Sequence, residues 1–236
     1  MFLSLDGDET HVWRVELEPA EPLLSRCMPL LTEDELDRAA RFRFEKDRCQ
    51  YAITRGVLRL LLGEYLQQPP ESVRFRYNPQ GKPELDAPNH PEVIHFNVSH
   101  THGLAVLAFA RRRRVGVDIE FLQRDLEYEK LAERFFSPGE VANLCPIPEP
   151  DRRRAFFACW TRKEAYIKAK GEGLSLALNQ FEVSLAPDTP HALLHVDGDP
   201  DEPSRWFFLD LALGHEHAGA LVVEGTPTPV RSFQFE

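Results

Sequence analysis

The chain has 236 residues, with 28 Lys and Arg against 38 Asp and Glu, a formal net charge of -10 at pH 7. Hydrophobic residues at 42% and charged residues at 28% exclude a disordered chain, and the length suits one large domain or two modest ones. No apolar run reaches the roughly 20 residues that cross a bilayer, and Met1 to Asp8 has no basic start leading into an apolar stretch, so neither a membrane span nor a secretory signal is expected.

His11 to Glu18 alternates apolar and polar side chains and predicts a strand. Thr32 followed by Glu35 predicts a capping box at a helix start. The helical pattern runs on, with one break allowed, to Leu66, ahead of Pro69-Pro70. Val73 to Tyr77 predicts a strand and Asn78 to Pro83 a turn. Val93 to Val98, Leu104 to Ala110 and Val115 to Phe121 predict three more strands, with Arg111 to Arg114 in the turn before the last. Leu126 to Leu144 reads as helix with a restart at Ser137, which can cap, and Pro138, which suits the first helical position. Asp151 to Lys170 predicts a helix stopped at Gly171 and Gly173. From Asn179 onward the chain reads as strands with proline-rich connections. His100-Thr-His102 and His215-Glu-His217 each lead into an apolar strand, 115 residues apart. That is close to half the chain and points to a duplicated α+β unit, with coincidence as the competing reading. Cys27, Cys49, Cys145 and Cys159 form no C-x-x-C pair and read as free thiols of a reducing, cytoplasmic compartment.

Four groups of residues could carry chemistry. In Gly116-Val-Asp118-Ile-Glu120 the two carboxylates are two apart and share one strand face, where they repel and call for a cation. Hard oxygen ligands suit Mg²⁺, although a strand with one wet face explains the pair equally well. In Trp160 to Lys170, Glu164 and Lys168 are neighbours on one helix face. A surface ion pair is the bland reading; the aromatic surroundings favour an embedded carboxylate, as metal ligand or general base. In Asn97-Val-Ser99-His100, adjacent Ser and His point to opposite strand faces and cannot pair as nucleophile and base. The H-x-H spacing near them, with His95 and His102, is a poor zinc signature, and both histidines read as ordinary surface residues. Finally, Arg41, Arg48, Arg55 and Arg59 follow spacings of seven and four, so on a continuous helix they line one face and can bind phosphate. A solvated face is the alternative. No Walker loop or dinucleotide fingerprint is present.

These pieces together resemble the 4'-phosphopantetheinyl transferase superfamily. Gly-Val-Asp-Ile-Glu at 116–120, Phe-Phe-Ser-Pro-Gly-Glu at 135–140 and Trp-Thr-Arg-Lys-Glu-Ala at 160–165 match its signature in order and approximate spacing. Asn97 to His100 and Gly81-Lys-Pro83 match upstream motifs of the long, surfactin-synthetase-activating type, so the likeness spans about residues 30–185. The resemblance implies an α+β, pseudo-dimeric fold of two similar subdomains with antiparallel sheets, 1–112 and 113–236, with the active site between them. It implies transfer of the 4'-phosphopantetheine arm of coenzyme A to a serine of an apo acyl or peptidyl carrier protein, releasing 3',5'-ADP. Asp118, Glu120 and Glu164 would hold Mg²⁺, with Mn²⁺ as a substitute. Glu164 would act as base, and Lys168 would offset phosphoryl charge. Lys82 and His100 would contact phosphates of coenzyme A, and Ser99 its nucleotide end. One departure stands out. Where close relatives place lysines for the 3'-phosphate, this chain has the acidic Glu33 to Asp37, leaving Arg38, Arg41, Arg48 and Arg55 as substitutes. An Mg²⁺-dependent hydrolase of nucleotide pyrophosphates and a non-catalytic coenzyme A-binding module are the rival functions.

The net charge is unevenly spread. Residues 1–37 carry 2 basic and 10 acidic side chains, residues 38–170 carry 24 and 17, and residues 171–236 carry 2 and 11. The basic middle holds every motif above and suits a polyphosphate and an acidic carrier. The acidic ends argue against nucleic acid, and the reading is of a monomer with no membrane partner. Arg111 to Arg114 and Arg152 to Arg154 are the clusters expected to meet the carrier.

Overall fold

The alternating pattern near the N-terminus forms β1 (Thr10–Glu16), and three helices follow: α1 (Ala20–Cys27), α2 (Glu33–Ala40) and α3 (Glu45–Leu66). A short hairpin, β2 (Phe75–Tyr77) and β3 (Pro83–Leu85), leads to β4 (Ile94–Thr101) and β5 (Leu104–Arg111). The same order then repeats: β6 (Val115–Phe121), α4 (Tyr128–Phe135), α5 (Pro138–Leu144), α6 (Asp151–Lys170), the hairpin of β7 (Phe181–Val183) and β8 (Leu193–Val196), then β9 (Trp206–Asp210) and β10 (His217–Glu224). A last strand, β11 (Val230–Phe235), ends the chain. This computed structural model describes residues 4–5, 7–18, 20–86, 93–171, 173, 176–186 and 192–236; part of the expected proline-rich connection, 187–191, lies outside the described residues.

The repeat extends to sheet order. One sheet runs β11-β1-β5-β4 and the other β6-β10-β9, so β1-β5-β4 and β6-β10-β9 are equivalent antiparallel triplets. The strands behind the two H-x-H segments, β5 and β10, are the centres of those triplets. The added strand β11 pairs parallel with β1, with Thr10 opposite Val230. The C-terminal strand therefore completes the first sheet and adds one parallel pair to its antiparallel triplet.

Three clusters of buried side chains hold four layers together. Ile53, Val57 and Leu61 of α3 pack on Val15, Leu107 and Phe109 of the first sheet. Phe156, Phe157 and Tyr166 of α6 pack on Phe208 and Val222 of the second. Val12, Val106 and Ala108 meet Val117, Ile119 and Leu221 between the sheets, so the two sheets join through apolar inner faces and stack between the helices. Gly116 lets α6 come this close. A Cβ there would fall 2.0 Å from the Ala165 carbonyl oxygen and 2.5 Å from the Ala169 nitrogen.

Several local signals act as expected. Thr32 and Glu35 form the capping box of α2, and Ser137 with Glu140 forms that of α5 behind Pro138. Gly171 ends α6 in the left-handed region at φ 74°. The arginine face is different. The helix breaks between Ala40 and Glu45, and α2 folds back so that Glu35 meets Arg55 at 3.2 Å and Arg59 at 2.8 Å. In one continuous helix, Glu35 and Arg55 would stand about 30 Å apart. Arg41 therefore falls outside α3, and of the three arginines that keep their spacing along it, Arg55 and Arg59 are engaged by Glu35 while Arg48 is exposed. Burial of Glu35 between two guanidiniums decides the geometry, since neither charge tolerates the interior alone.

In both arginine clusters expected to meet the carrier, several side chains also bind within the chain, while Arg112 and Arg154 stay exposed. Arg111 donates to the Leu5 carbonyl, Arg113 to the Thr226 carbonyl, and Arg114 pairs with Glu224 at 2.7 Å. Arg152 donates to the Ile147 carbonyl and Glu129, and Arg153 to the Leu122 and Arg124 carbonyls. Of the second cluster, Arg154 is the exposed member.

Candidate active site

The carboxylates of β6 lie where three elements meet. Asp118 and Glu120 stand on one face of β6, and α6 crosses that face with Glu164 and Lys168. From the other half of the molecule, β4 runs beside β6, and its side chains bind the backbone of that edge strand. Asn97 Oδ1 accepts the Val117 N–H at 2.8 Å, and Ser99 Oγ accepts the Ile119 N–H at 3.3 Å. Two side chains of one sheet thus satisfy edge donors of the other.

Asp118 is the centre of the cluster, with 6% of its surface exposed. Its Oδ1 accepts from Lys168 Nζ at 2.7 Å and from Ser99 Oγ at 3.1 Å. Lys168 Nζ also donates to Ser99 Oγ at 3.2 Å and to the Val117 carbonyl at 3.3 Å. The second carboxylate oxygen, Oδ2, is buried and has no hydrogen-bond partner among the described residues. Burial and the Asp118 charge hold Glu164 above the usual carboxylate range, against the pull of Lys168. Burial and Asp118 raise Glu120 in the same way, while Arg124, 3.6 Å away, opposes them. Three mutually repelling carboxylates therefore share one partly dry corner.

Among the described residues, no three His, Cys, Asp or Glu side chains converge closely enough to enclose a metal ion. The donor set still fits a hard divalent cation. It is all carboxylate oxygen, one oxygen is buried without a partner, and the charges lack compensation beyond Lys168 and Arg124.

A cleft of about 290 Å³ opens beside the cluster, lined by Lys82, Asn97, Glu164 and Lys168 with Gly81 and Gly171. The turn before β3 closes it against the end of α6. Lys82 Nζ donates to the Lys168 carbonyl at 2.5 Å, and Asn78 donates to the Gly171 carbonyl at 3.0 Å. Burial pushes Lys82 down to about 8. A second cleft of about 580 Å³ shares Gly81 with the first and is lined by Asp34, Arg38, Arg41, Phe42 and Tyr77.

The expected site residues thus fall into three groups. Asp118, Glu120, Glu164, Lys168, Ser99 and Lys82 come together at the corner and its cleft. Ser99 sits against Asp118 and Lys168, where a contact to the nucleotide end had been expected. His100, next on β4, is exposed and on the opposite strand face. Arg41 ends α2 on the rim of the second cleft, Arg48 pairs with Glu45, and Arg55 is buried between Glu35 and the Tyr77 hydroxyl at 2.7 Å. His95 is half-buried, and His102 stacks on Phe121 with ring centroids 3.8 Å apart. Sequence reasoning missed Phe42, Tyr77 and Asn78. The aromatic residues beside arginines and the Asn-Pro turn were the available signals.

Comparisons with known families cover both halves of the chain. A model of the 4'-phosphopantetheinyl transferase superfamily matches residues 114–222, and one of the N-terminal part of a 4'-phosphopantetheinyl transferase matches residues 15–112. The 4'-phosphopantetheinyl transferase HetI of Nostoc sp. PCC 7120 is 37% identical over 94% of this chain and 91% of its own length. A phosphopantetheinyl transferase of Thraustochytrium sp. is 30% identical over 87% of this chain and 74% of its own. Sfp of Bacillus subtilis strain 168 is 30% identical over 69% and 70%. With both halves matched and the carboxylate corner in place, the chain belongs to the 4'-phosphopantetheinyl transferase superfamily and is an enzyme of that type.

Proposed function

We propose that this transferase takes the 4'-phosphopantetheine arm from coenzyme A and places it on a serine hydroxyl of an apo acyl or peptidyl carrier protein. The serine oxygen forms a bond to the β-phosphorus, the pyrophosphate P–O bond breaks, and 3',5'-ADP leaves with the electron pair. The observation that carries this reading is the Asp118 corner: a buried, half-satisfied carboxylate beside Glu164 and Lys168 at the mouth of a cleft bearing Lys82.

Each residue has a role set by its surroundings. Glu164, raised by burial and by Asp118, accepts the serine proton, because a carboxylate short of compensating charge gains from neutralisation. The Lys168 ammonium, fixed on Asp118 and Ser99, offsets charge on the phosphoryl oxygens without needing to reorganise. Lys82 binds a phosphate at the cleft's other wall. Asp118 Oδ2 with Glu120 and Glu164 would hold Mg²⁺ or Mn²⁺, which when bound supplies Lewis-acid neutralisation of the pyrophosphate. The neighbouring cleft, with Phe42 and Tyr77 for a base and Arg38 and Arg41 for phosphate, takes the nucleotide end. The halves at 1–112 and 113–236 both contribute, through Ser99 and Lys82 on one side and the carboxylates on the other. The protein acts in the cytoplasm as a monomer. No helix among the described residues is long and apolar enough to cross a membrane.

Asp118→Ala and Glu164→Ala test the assignment. Each is expected to abolish transfer of a labelled arm to a carrier while the folded state persists, and full activity in either variant overturns the role given to that residue.

A further inference from the structure

We infer that Ser99 is a positioning residue that divides the labour of the Asp118 carboxylate, reserving one oxygen for a cation. The inference rests on the cation reading above and adds a residue to it.

Ser99 is 7% exposed and lies on β4, in the half of the molecule that holds none of the three carboxylates. Its hydroxyl makes three hydrogen bonds, which is its full capacity of one donor and two acceptor positions. It donates to Asp118 Oδ1 at 3.1 Å and accepts from Lys168 Nζ at 3.2 Å and from the Ile119 N–H at 3.3 Å. A hydroxyl that accepts from a backbone N–H and an ammonium has its proton directed at the remaining partner, Asp118 Oδ1. That oxygen is then bound by Ser99 and Lys168 together. The carboxylate cannot rotate to give Lys168 its other oxygen without breaking the Ser99 bond, so Oδ2 stays unpartnered and oriented. Outer-shell hydrogen bonds of this kind orient metal-binding carboxylates and typically change metal affinity by about 10-fold or more. Asn97, two residues earlier on the same face, grips the Val117 N–H at 2.8 Å and keeps β4 in register with β6. The hydroxyl therefore cannot drift along the strand. In this arrangement the first half of the molecule tunes a cation site whose ligands all come from the second.

Two bindings separate this role from a contact to coenzyme A and from a merely structural one. Mn²⁺ affinity is read from the loss of the free-ion paramagnetic resonance signal, and coenzyme A affinity is read by calorimetry without metal. In Ser99→Ala the Mn²⁺ dissociation constant is expected to rise about 10-fold, with metal-free coenzyme A affinity within about twofold of the parent. The metal concentration for half-maximal rate should rise with it, and kcat should return at saturating metal. Ser99→Thr, which keeps the hydroxyl, is expected to restore Mn²⁺ affinity, and thermal unfolding confirms that both variants are folded. Unchanged Mn²⁺ affinity in Ser99→Ala overturns the inference. So does weakened coenzyme A binding with Mn²⁺ affinity intact, which assigns the hydroxyl to the nucleotide instead. Absence of Mn²⁺ binding by the parent protein, with and without coenzyme A, overturns the cation reading itself.

Discussion

Glu140→Gln separates a residue that looks catalytic from one that is structural. Glu140 ends the Phe-Phe-Ser-Pro-Gly-Glu segment, and Lys163 directly precedes Glu164, so both belong to the motifs that carry the family likeness. The structure buries them together, 2% and 0% exposed, with Lys163 Nζ 2.8 Å from Glu140 Oε1. Glu140 also accepts the Val183 N–H at 2.7 Å and the Ser137 N–H at 2.8 Å, while Lys163 donates to the Leu178 and Phe181 carbonyls. The pair therefore ties α5 and α6 to the β7 segment. Gln keeps the shape but removes the charge and strands the Lys163 ammonium among neutral acceptors. Breaking a buried pair from one side costs about 3–5 kcal/mol. At about 2–4 °C per kcal/mol for a domain of this size, the melting temperature should fall by roughly 6–20 °C. Scanning calorimetry measures the shift, and transfer assayed well below the transition should keep kcat within about threefold. A melting change under about 2 °C, or lost turnover with an unchanged melt, refutes the structural assignment.

Glu164→Gln should behave in the opposite way: turnover falls by about 10²–10⁴, and stability is equal or higher because repulsion from Asp118 is relieved, as rate and melting measurements on one sample will show. Lys82, at about 8 in the folded protein against an ordinary 10.5, binds fewer protons folded than unfolded in that window. Its contribution to stability therefore increases as pH rises from about 8 to about 10.5, and denaturant titrations of Lys82→Met should lack that component. A phosphate bound beside it restores the proton, so calorimetry in buffers of differing ionisation enthalpy at about pH 8.5 should detect proton uptake with coenzyme A for the parent and less for Lys82→Met. Gly116→Ala should destabilise the fold and reduce transfer together, because the new Cβ would collide with the backbone of α6 at Ala165 and Ala169; an unaltered melt contradicts the close approach.

Local order was readable wherever one short-range rule decides. Thr32, Ser137 and Gly171 set helix ends, and the period-two alternation of β1 and the apolar runs of β5 and β6 set strands. The Asp118–Glu120 face and the Glu164–Lys168 pair were legible for the same reason, since strand and helix periodicity place them. Relations between distant segments were not. Glu35 reads as part of an acidic run, and its burial between Arg55 and Arg59 follows only once α2 folds back on α3. The parallel seat of β11 beside β1 has no signal in either strand. The arginine clusters read as free positive charge because nothing in their spacing reveals the carbonyls of Leu5, Ile147 and Leu122 that they bind. Ser99 was legible as part of a motif, yet its bond to Asp118 joins two sheets and needed their packing to be seen.

The most direct test of the account is intact-mass analysis of an apo carrier protein incubated with this protein, coenzyme A and Mg²⁺. The account predicts that the carrier gains the mass of one phosphopantetheine arm on its serine, that 3',5'-ADP appears in equal amount, and that Glu164→Gln yields neither. Release of free phosphopantetheine with the carrier unmodified would contradict it and assign the Asp118 corner to hydrolysis.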